Sequence, residues 1–180
     1  MMAQLPYLIY EQKPPMTSAS FKAMAKYFLN DADSVFMDKL SLNPAFCEDG
    51  SGSDFIDSWK EWERALKLNL SKERAIKLKK ENTITAEPPF FPLEAAGAAS
   101  KAIDEHSPLE GEIVLDKARW LAIDAFAGND NFHRNAVFAY FLKLLLLERR
   151  QSFNVEKGFA EYKSLYASIV ESAQHRGDHT

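Results

Sequence analysis

Histidine and cysteine are the first residues to inspect in this chain for a metal site or for acid–base and nucleophilic chemistry. The four histidines, His106, His133, His175 and His179, form neither a His-x-x-x-His nor a His-Glu-x-x-His pattern, whereas metal sites need ligands at set spacings. Cys47 is the single cysteine and lies in a run of glycines and small polar residues, which is typical of a flexible loop. The sequence therefore predicts no catalytic, metal or cofactor site.

Residues 128–131, Gly-Asn-Asp-Asn, carry oxygen atoms of the kind that bind Ca²⁺. A calcium loop of the EF-hand type also requires regularly spaced acids and a final glutamate, and the sequence has neither at this place. The simpler interpretation is that Gly128 ends one helix and that Asn131 or a neighbour begins the next. We therefore expect a helix boundary here.

Charge is distributed unevenly along the chain. From residue 60 to 80 eight basic residues stand against three acidic ones, whereas seven acidic residues stand against three basic ones from 94 to 124. Such a split can steer association with a partner of opposite charge. It is also typical of a solvated helix face, or of two helices in one molecule that attract each other. The candidate partner-binding residues are Arg64, Lys67, Lys72, Arg74, Lys77, Lys79 and Lys80.

Trp59 and Trp62 are the aromatic residues nearest to this basic region. With Arg64 they could stack on the bases of a single-stranded nucleic acid. However, Phe55, Trp59, Trp62 and Leu66 follow helical spacing, which favours a buried stripe. The net charge of -4 also provides no overall cationic field. We expect no nucleic acid as partner. A soluble regulatory module that binds nucleic acid through the basic helix 64–80 is the alternative.

The composition is that of an ordinary globular protein, with 180 residues, 46% hydrophobic and 27% charged. The most apolar window, 136–147, contains Lys143 and is shorter than the roughly 20 residues that span a bilayer. The first residues lack the basic start of an export signal. With a lone cysteine, these features predict a cytoplasmic protein without membrane insertion, which could be peripheral at the cytoplasmic face of the inner membrane.

Caps, prolines and apolar periodicity predict an all-α fold, a helical bundle of about six to seven helices with a short extended N-terminal segment at Leu5–Tyr10. The predicted helices span about 18–28, 33–42, 54–80, 93–105, 108–127, 131–150 and 154–173. We expect one domain over residues 1–173, with a hinge at 47–53 and a proline-rich connector at 87–92. Residues 174–180 are predicted to be a disordered tail.

Several residue combinations, taken in order, point to a family. They are Lys13-Pro14-Pro15-Met16, Trp59-x-x-Trp62-Glu63-Arg64-Ala65-Leu66 with Arg74-Ala75-x-Lys77-Leu78, Ser107-Pro108-Leu109-Glu110 with Asp116-x-x-Arg119-Trp120, and Tyr140-x-x-Lys143-Leu144-x-x-Leu147-Glu148-Arg149. In this combination, from about Leu5 to Tyr162, the chain resembles an uncharacterised family that is encoded among the genes of bacterial V-type (A-type-like) ATPases.

That resemblance implies a counterpart of the helical V-type ATPase component that seats the central stalk on the membrane rotor ring. We accordingly expect a non-catalytic peripheral subunit or assembly factor in proton or sodium transport, without cofactors. Its partners would be proteins of the central stalk, the rotor ring or both. The segment Leu5–Tyr10 is expected either to pair with a partner or to fold back on the bundle.

Overall fold

The computed structural model describes residues 2–45, 50–79, 93–129, 133–153, 162–166 and 168–169 of the chain. In these residues the backbone forms a short 3₁₀ turn, six α-helices and further helical residues at 162–166 and 168–169, and it contains no β-strand. The α-helices are α1 (Ser18–Ala25), α2 (Asp31–Lys39), α3 (Asp54–Lys77), α4 (Leu93–Asp104), α5 (Pro108–Ala127) and α6 (Arg134–Ser152). The predicted all-α bundle of six to seven helices is confirmed.

Helix α5 shows most directly how local sequence sets a boundary. The Ser107 side chain accepts a hydrogen bond from the Glu110 N–H at 3.2 Å, and Pro108 occupies the first helical position, where no donor is lost. At the other end Gly128 has a φ of 69°, a conformation that glycine adopts without steric cost. The predicted bounds of this helix are therefore correct.

Helix α3 buries the aromatic stripe that its spacing predicts. Phe55, Trp59, Trp62 and Leu66 are at most 2% exposed. The two indole rings stack on each other with centroids 5.9 Å apart, and the Trp59 Nε1–H donates to the Ser41 carbonyl at 2.9 Å. The interpretation of these residues as core is confirmed, because their ring faces are inaccessible to bases.

Helix α6 is surrounded by other parts of the bundle. Buried residues occur on all its sides from Ala136 to Leu147, as expected for a helix that is apolar all round. Its Phe138 ring packs near Phe55 of α3 with centroids 6.0 Å apart. Its Tyr140 ring packs near Phe21 of α1 at 4.7 Å. α6 therefore connects the cores formed by α1 and α3.

Two polar contacts hold α1 and α2 against α6. The Glu148 carboxylate accepts from the Ser18 N–H at 2.7 Å and from its hydroxyl at 2.6 Å, which places an acid at the N-terminus of α1, where the helix dipole favours it. Arg134 forms an ion pair with Asp33 of α2 at 2.9 Å and lies over the Phe36 ring. Both contacts therefore fix the ends of short helices.

The N-terminal segment folds back on the bundle, which is one of its two predicted alternatives. Leu8 is 5% exposed and belongs to the core. The Tyr140 hydroxyl donates to the Pro6 carbonyl at 3.0 Å, and the Tyr10 hydroxyl donates to the Ile113 carbonyl at 3.1 Å. Side-chain hydrogen bonds to backbone carbonyls thus hold this segment in place.

Apolar spacing in the first two predicted helices places Phe28 and Val35 on their buried faces, and both predictions are wrong. Helix α1 ends at Ala25, and Phe28, which we expected on its inner face, is 63% exposed. In α2, Val35 is 52% exposed, whereas Asp33 and Met37 face inward, four residues apart. Short helices carry too few apolar residues for the periodicity to identify which side is buried.

A cluster of three charged side chains lies buried between α3 and α5. Arg119 of α5 donates to both carboxylate oxygens of Glu63 on α3, at 3.1 and 2.9 Å, and to Asp116 at 2.9 Å. Burial by itself lowers the pKa of Arg119, but the hydrogen bonds and charges of the two carboxylates outweigh it and raise that pKa above its usual value. Bidentate pairing of this kind is geometrically specific, so it fixes the register of α3 on α5.

The contacts of the chain separate into two compact units, residues 1–148 and 149–180. In the second unit the Tyr162 and Tyr166 rings stack 6.3 Å apart. Within the predicted hinge the Ser51 N–H donates to the Asp57 carboxylate at 2.8 Å. Residues 47–49 of the hinge, the connector 87–92 and the tail 174–180 lie outside the described residues. The single domain over 1–173 and these three features stay predictions.

Gly111 permits a close approach of α4 and α5. A Cβ atom there would lie 2.7 Å from the Ala102 carbonyl oxygen, which is backbone and must shift. We expect Gly111→Ala to lower the free energy of unfolding in urea by about 1–3 kcal/mol. The matched control is Gly97→Ala in α4, where a Cβ meets nothing within 4 Å; it should raise that free energy by about 0.5–1 kcal/mol. Equal effects of the two substitutions would contradict the close contact.

Removing Arg119 should be among the most damaging single changes. Arg119→Met leaves two carboxylates buried without their cation, so we expect the free energy of unfolding at neutral pH to fall by about 3–5 kcal/mol. Protonation neutralises these carboxylates and is favoured in the folded variant, so the loss should shrink from about pH 8 to about pH 5. The control, Lys26→Met, breaks a pair with Asp38 whose side chains are 47% and 46% exposed and should have a much smaller effect on the free energy of unfolding. A loss for Arg119→Met that does not change with pH would count against this explanation.

Candidate functional site

The candidate partner-binding residues do not all share one face of α3. With about 100° of rotation per residue, Arg64, Lys67 and Arg74 fall within a sector of about 80°. Lys72 and Lys77 lie outside this sector, on opposite sides of it. Lys79 follows the end of the helix, and Lys80 lies outside the described residues. The structure thus brings together only part of the predicted surface.

Two of these lysines contact other segments of the same chain. The Lys67 Nζ donates to the Asn43 side chain in the loop after α2. The Lys77 Nζ donates to the Ile103 carbonyl in the last turn of α4, where a cation interacts favourably with the helix dipole. Lys77 also lies on the side of α3 that buries Leu70, seven residues earlier. These two lysines therefore help to hold the bundle together.

Of the predicted surface, Lys67 is exposed in mid-helix, and the other exposed members lie in the last turn of α3 and the two residues after it. We call residues 74–79 the basic end of α3. Arg74, Lys77 and Lys79 are exposed there, and between them Ile76 is 71% and Leu78 is 64% exposed. The exposure of these two apolar residues was not predicted, and the spacing gives no signal for it at Ile76, which follows Phe55 and Trp62 of the buried stripe at multiples of seven residues.

The basic end is closed by a left-handed residue. The Leu78 N–H donates to the Arg74 carbonyl at 3.0 Å, and the Lys79 N–H donates to the Ile76 carbonyl at 3.0 Å. Lys79 has a φ of 50°, a position where helices usually have glycine. The helix therefore ends at Lys77, three residues before the predicted Lys80.

A cleft of about 400 Å³ adjoins the basic end, where the ends of α3 and α4 meet the start of α5. Its charged or titratable lining residues are Arg74, Lys77, Glu105, His106 and Glu112. Charges of both signs line it, so the cleft is suited to ion pairs and hydrogen bonds with the side chains of another protein rather than to a ligand of one charge.

The basic region 60–80 and the acidic region 94–124 are joined by an ion pair in which each region contributes its minority charge. The ion pair of Glu63 with Arg119 joins α3 to α5 at 2.9 Å, so the acid comes from the basic region and the base from the acidic one. Lys77 meets the acidic region at a backbone carbonyl. Simple attraction between two oppositely charged helix faces does not describe these contacts.

The structure tests the metal and membrane expectations only in its described part. There, no group of three or more histidine, cysteine, aspartate or glutamate side chains could hold a metal ion. No helix in the same part is long and apolar enough to cross a membrane. Cys47, His175 and His179 lie outside the described residues. The absence of a cofactor and of catalysis stays a prediction.

Comparison with known proteins finds no matching family model, curated protein or solved structure. The resemblance to the family of the V-type ATPase operons therefore depends on the residue combinations that carry it and stays a prediction.

Replacing Lys79 by glycine removes a charge from the basic end and is expected to stabilise the fold at the same time. A left-handed conformation costs an L-residue about 1–2 kcal/mol, and the greater entropy that glycine loses on folding offsets about 0.5–1 kcal/mol of that. Lys79→Gly should therefore raise the free energy of unfolding by about 0.5 kcal/mol. The control is Lys39→Gly at the last residue of α2, which should lower it by about 1 kcal/mol. Urea denaturation measures both, and a destabilising Lys79→Gly would contradict the strain.

Proposed function

We propose that this chain is a non-catalytic peripheral subunit or assembly factor of a bacterial V-type ATPase, and that it binds the central stalk, the rotor ring or both in proton or sodium transport. The resemblance of its residue combinations to the family encoded in these operons supports the proposal. The observation that carries it is the basic end of α3, where exposed Ile76 and Leu78 lie between exposed cations.

The composition of this surface suits a protein partner. Ile76 and Leu78 are both more than half exposed, and because they are two positions apart they point to different sides of the helix end, so a partner that covers both must enclose the end of α3. Arginine is enriched at protein interfaces, and a charged rim steers the encounter and selects the partner. We therefore expect Ile76 and Leu78 to be the anchors, and Arg74 and Lys79 to face acidic residues of the partner.

The attachment of α3 to the bundle suits a part that transmits force. Trp59 and Trp62 are buried on its inner side, and Glu63 is held bidentately by Arg119. Lys77 adds a contact to α4 close to the exposed end. A helix held by packed aromatic rings and paired charges resists bending and rotation, and a component between a stalk and a rotor needs this stiffness.

Co-purification with the ATPase from native membranes tests the proposal. We expect this chain to be retained in the intact complex, and a strain that lacks it to yield ATPase with reduced coupling or assembly. An intact, fully coupled complex that never contains the chain would refute the proposal.

Variants of the basic end test the proposed surface. The double variant Arg74→Glu/Lys79→Glu and the variant Ile76→Ser should each weaken binding to the purified ATPase at least about tenfold, equivalent to about 1.4 kcal/mol. Lys79→Gly should weaken binding while stabilising the fold, which excludes misfolding as the cause. The matched control Lys13→Glu/Lys39→Glu reverses two exposed lysines elsewhere and should bind normally.

A titration with a labelled oligonucleotide addresses the alternative function. Nucleic-acid binding through α3 would depend steeply on salt and would be lost in the charge-reversal variant. We expect no such binding, because the cations of α3 lie on several sides and two of them contact the chain itself. Salt-sensitive oligonucleotide binding without ATPase binding would replace the proposed function by this alternative.

A further inference from the structure

A second cleft, of about 420 Å³, lies between the N-terminal segment and the facing parts of α5 and α6. Residues 5–8 form one wall, and α6 contributes Ala136, Ala139, Tyr140 and Lys143. These four residues lie on one face of α6 over two turns, a length of about 10 Å. The volume falls within the range of about 300–1,000 Å³ that is typical of binding sites.

Small side chains keep this cleft open. The small lining residues are Ala127, Gly128, Ala136 and Ala139. The opposite wall is fixed by the hydrogen bond from the Tyr140 hydroxyl to the Pro6 carbonyl at 3.0 Å. Burial raises the pKa of the Tyr140 phenol, which makes ionisation of this donor still less favourable. The cleft therefore lies between two walls whose relative position is already fixed.

One ion pair supplies the charge of the cleft. The Lys143 ammonium pairs with Asp124 of α5 and lies 4.6 Å from the centre of the Trp120 ring. The Lys143 side chain is 15% exposed, whereas that of Asp124 is 51% exposed. The positive charge is thus enclosed and the carboxylate faces solvent, so an incoming molecule meets an apolar cleft with an acidic edge.

Two exposed apolar side chains accompany the acidic edge of the cleft. Tyr7 lines the cleft and is 88% exposed. Leu121, 60% exposed, is not part of the lining but lies one turn before Asp124 on the same side of α5, so we place it at the rim. A small molecule inside the cleft would leave both rim residues in water, whereas a protein segment laid across it would cover them. Tyrosine is among the residues that contribute most to protein interfaces.

We propose that this cleft is a docking site for an amphipathic helix of a partner protein, which inserts apolar side chains from two successive turns and places an arginine or lysine next to Asp124. The apolar interior of the cleft accepts the apolar anchors, and its length of two turns matches the distance between anchors on successive turns of a helix. The exposed Asp124 carboxylate favours a cation on the partner. This site is separate from the basic end of α3, so the inference goes beyond the proposed function and does not depend on it.

Synthetic peptides on the full-length chain test the inference. The probes are helical peptides of about 14 residues, or four turns, with leucine, isoleucine or phenylalanine anchors at helical spacing and flanking arginines. A second set carries glutamates in place of the arginines. We expect saturable binding of at least one basic peptide below about 1 mM, and binding at least about tenfold weaker for its acidic counterpart, by fluorescence anisotropy.

Cleft variants locate the binding. Tyr7→Ser and Leu121→Ser alter exposed rim residues, and each should weaken the binding of the basic peptide at least about tenfold. Ala139→Leu fills the cleft and should abolish binding, and Asp124→Asn should remove the preference for the basic peptide. The control Ala32→Leu adds the same bulk at an exposed site on α2. Thermal melts show whether each variant is folded. If Ala139→Leu does not fold, the two rim variants still test whether the peptide binds in the cleft.

Three results would overturn the inference. The first is that no basic peptide binds saturably. The second is that rim variants bind like the original chain. The third is that the chain binds the dye anilinonaphthalene sulfonate but not the peptides, and that Ala139→Leu abolishes the binding of the dye. This result would indicate a small apolar ligand. The variant Arg74→Glu/Lys79→Glu should keep normal peptide binding, so failure at this site and failure of the proposed function are distinguishable.

Discussion

Enclosing α6 is the constraint on which the rest of this bundle depends. Its residues from Ala136 to Leu147 are apolar on every side apart from Lys143, and each large apolar side chain left in water would cost about 1.5–3 kcal/mol. Phe21 of α1 and Phe55 of α3 pack against it. Leu8 of the N-terminal segment belongs to the same core. The N-terminal segment, α1 and α3 therefore all contribute to covering this one late helix.

The enclosed core also contains charge, which limits how the helices can pack. Glu63, Asp116 and Arg119 are at most 8% exposed, and apolar groups of similar shape at these positions are often as stabilising as a buried ion pair. A buried cluster gains its energy only when the donors and acceptors meet in good geometry. It therefore discriminates against alternative registers of α3 on α5, which would leave charges buried and unpaired.

Both proposed binding surfaces follow from this core. The basic end of α3 lies beyond Leu70, the last buried residue of this helix. Ile76 and Leu78 are therefore exposed, although the rest of the helix is packed against the bundle. The N-terminal cleft arises where α5 and α6 meet through alanine and glycine instead of large side chains. In each case rigid packing nearby presents an apolar surface whose shape is set before any partner arrives.

The sequence by itself determined the helical class, the bounds of α5 and the buried stripe of α3. These features depend on residues within a few positions of one another, such as Ser107 and Pro108 at a cap, and such local interactions are visible in any stretch of chain. Only the tertiary structure decided which charges are available and where clefts form. Glu63 meets Arg119 across 56 positions of sequence, and Lys77 reaches a carbonyl of α4 although nothing local distinguishes it from its basic neighbours. Periodicity within one helix specifies a face but not the neighbour that covers it, because that neighbour is chosen by the packing of the whole chain.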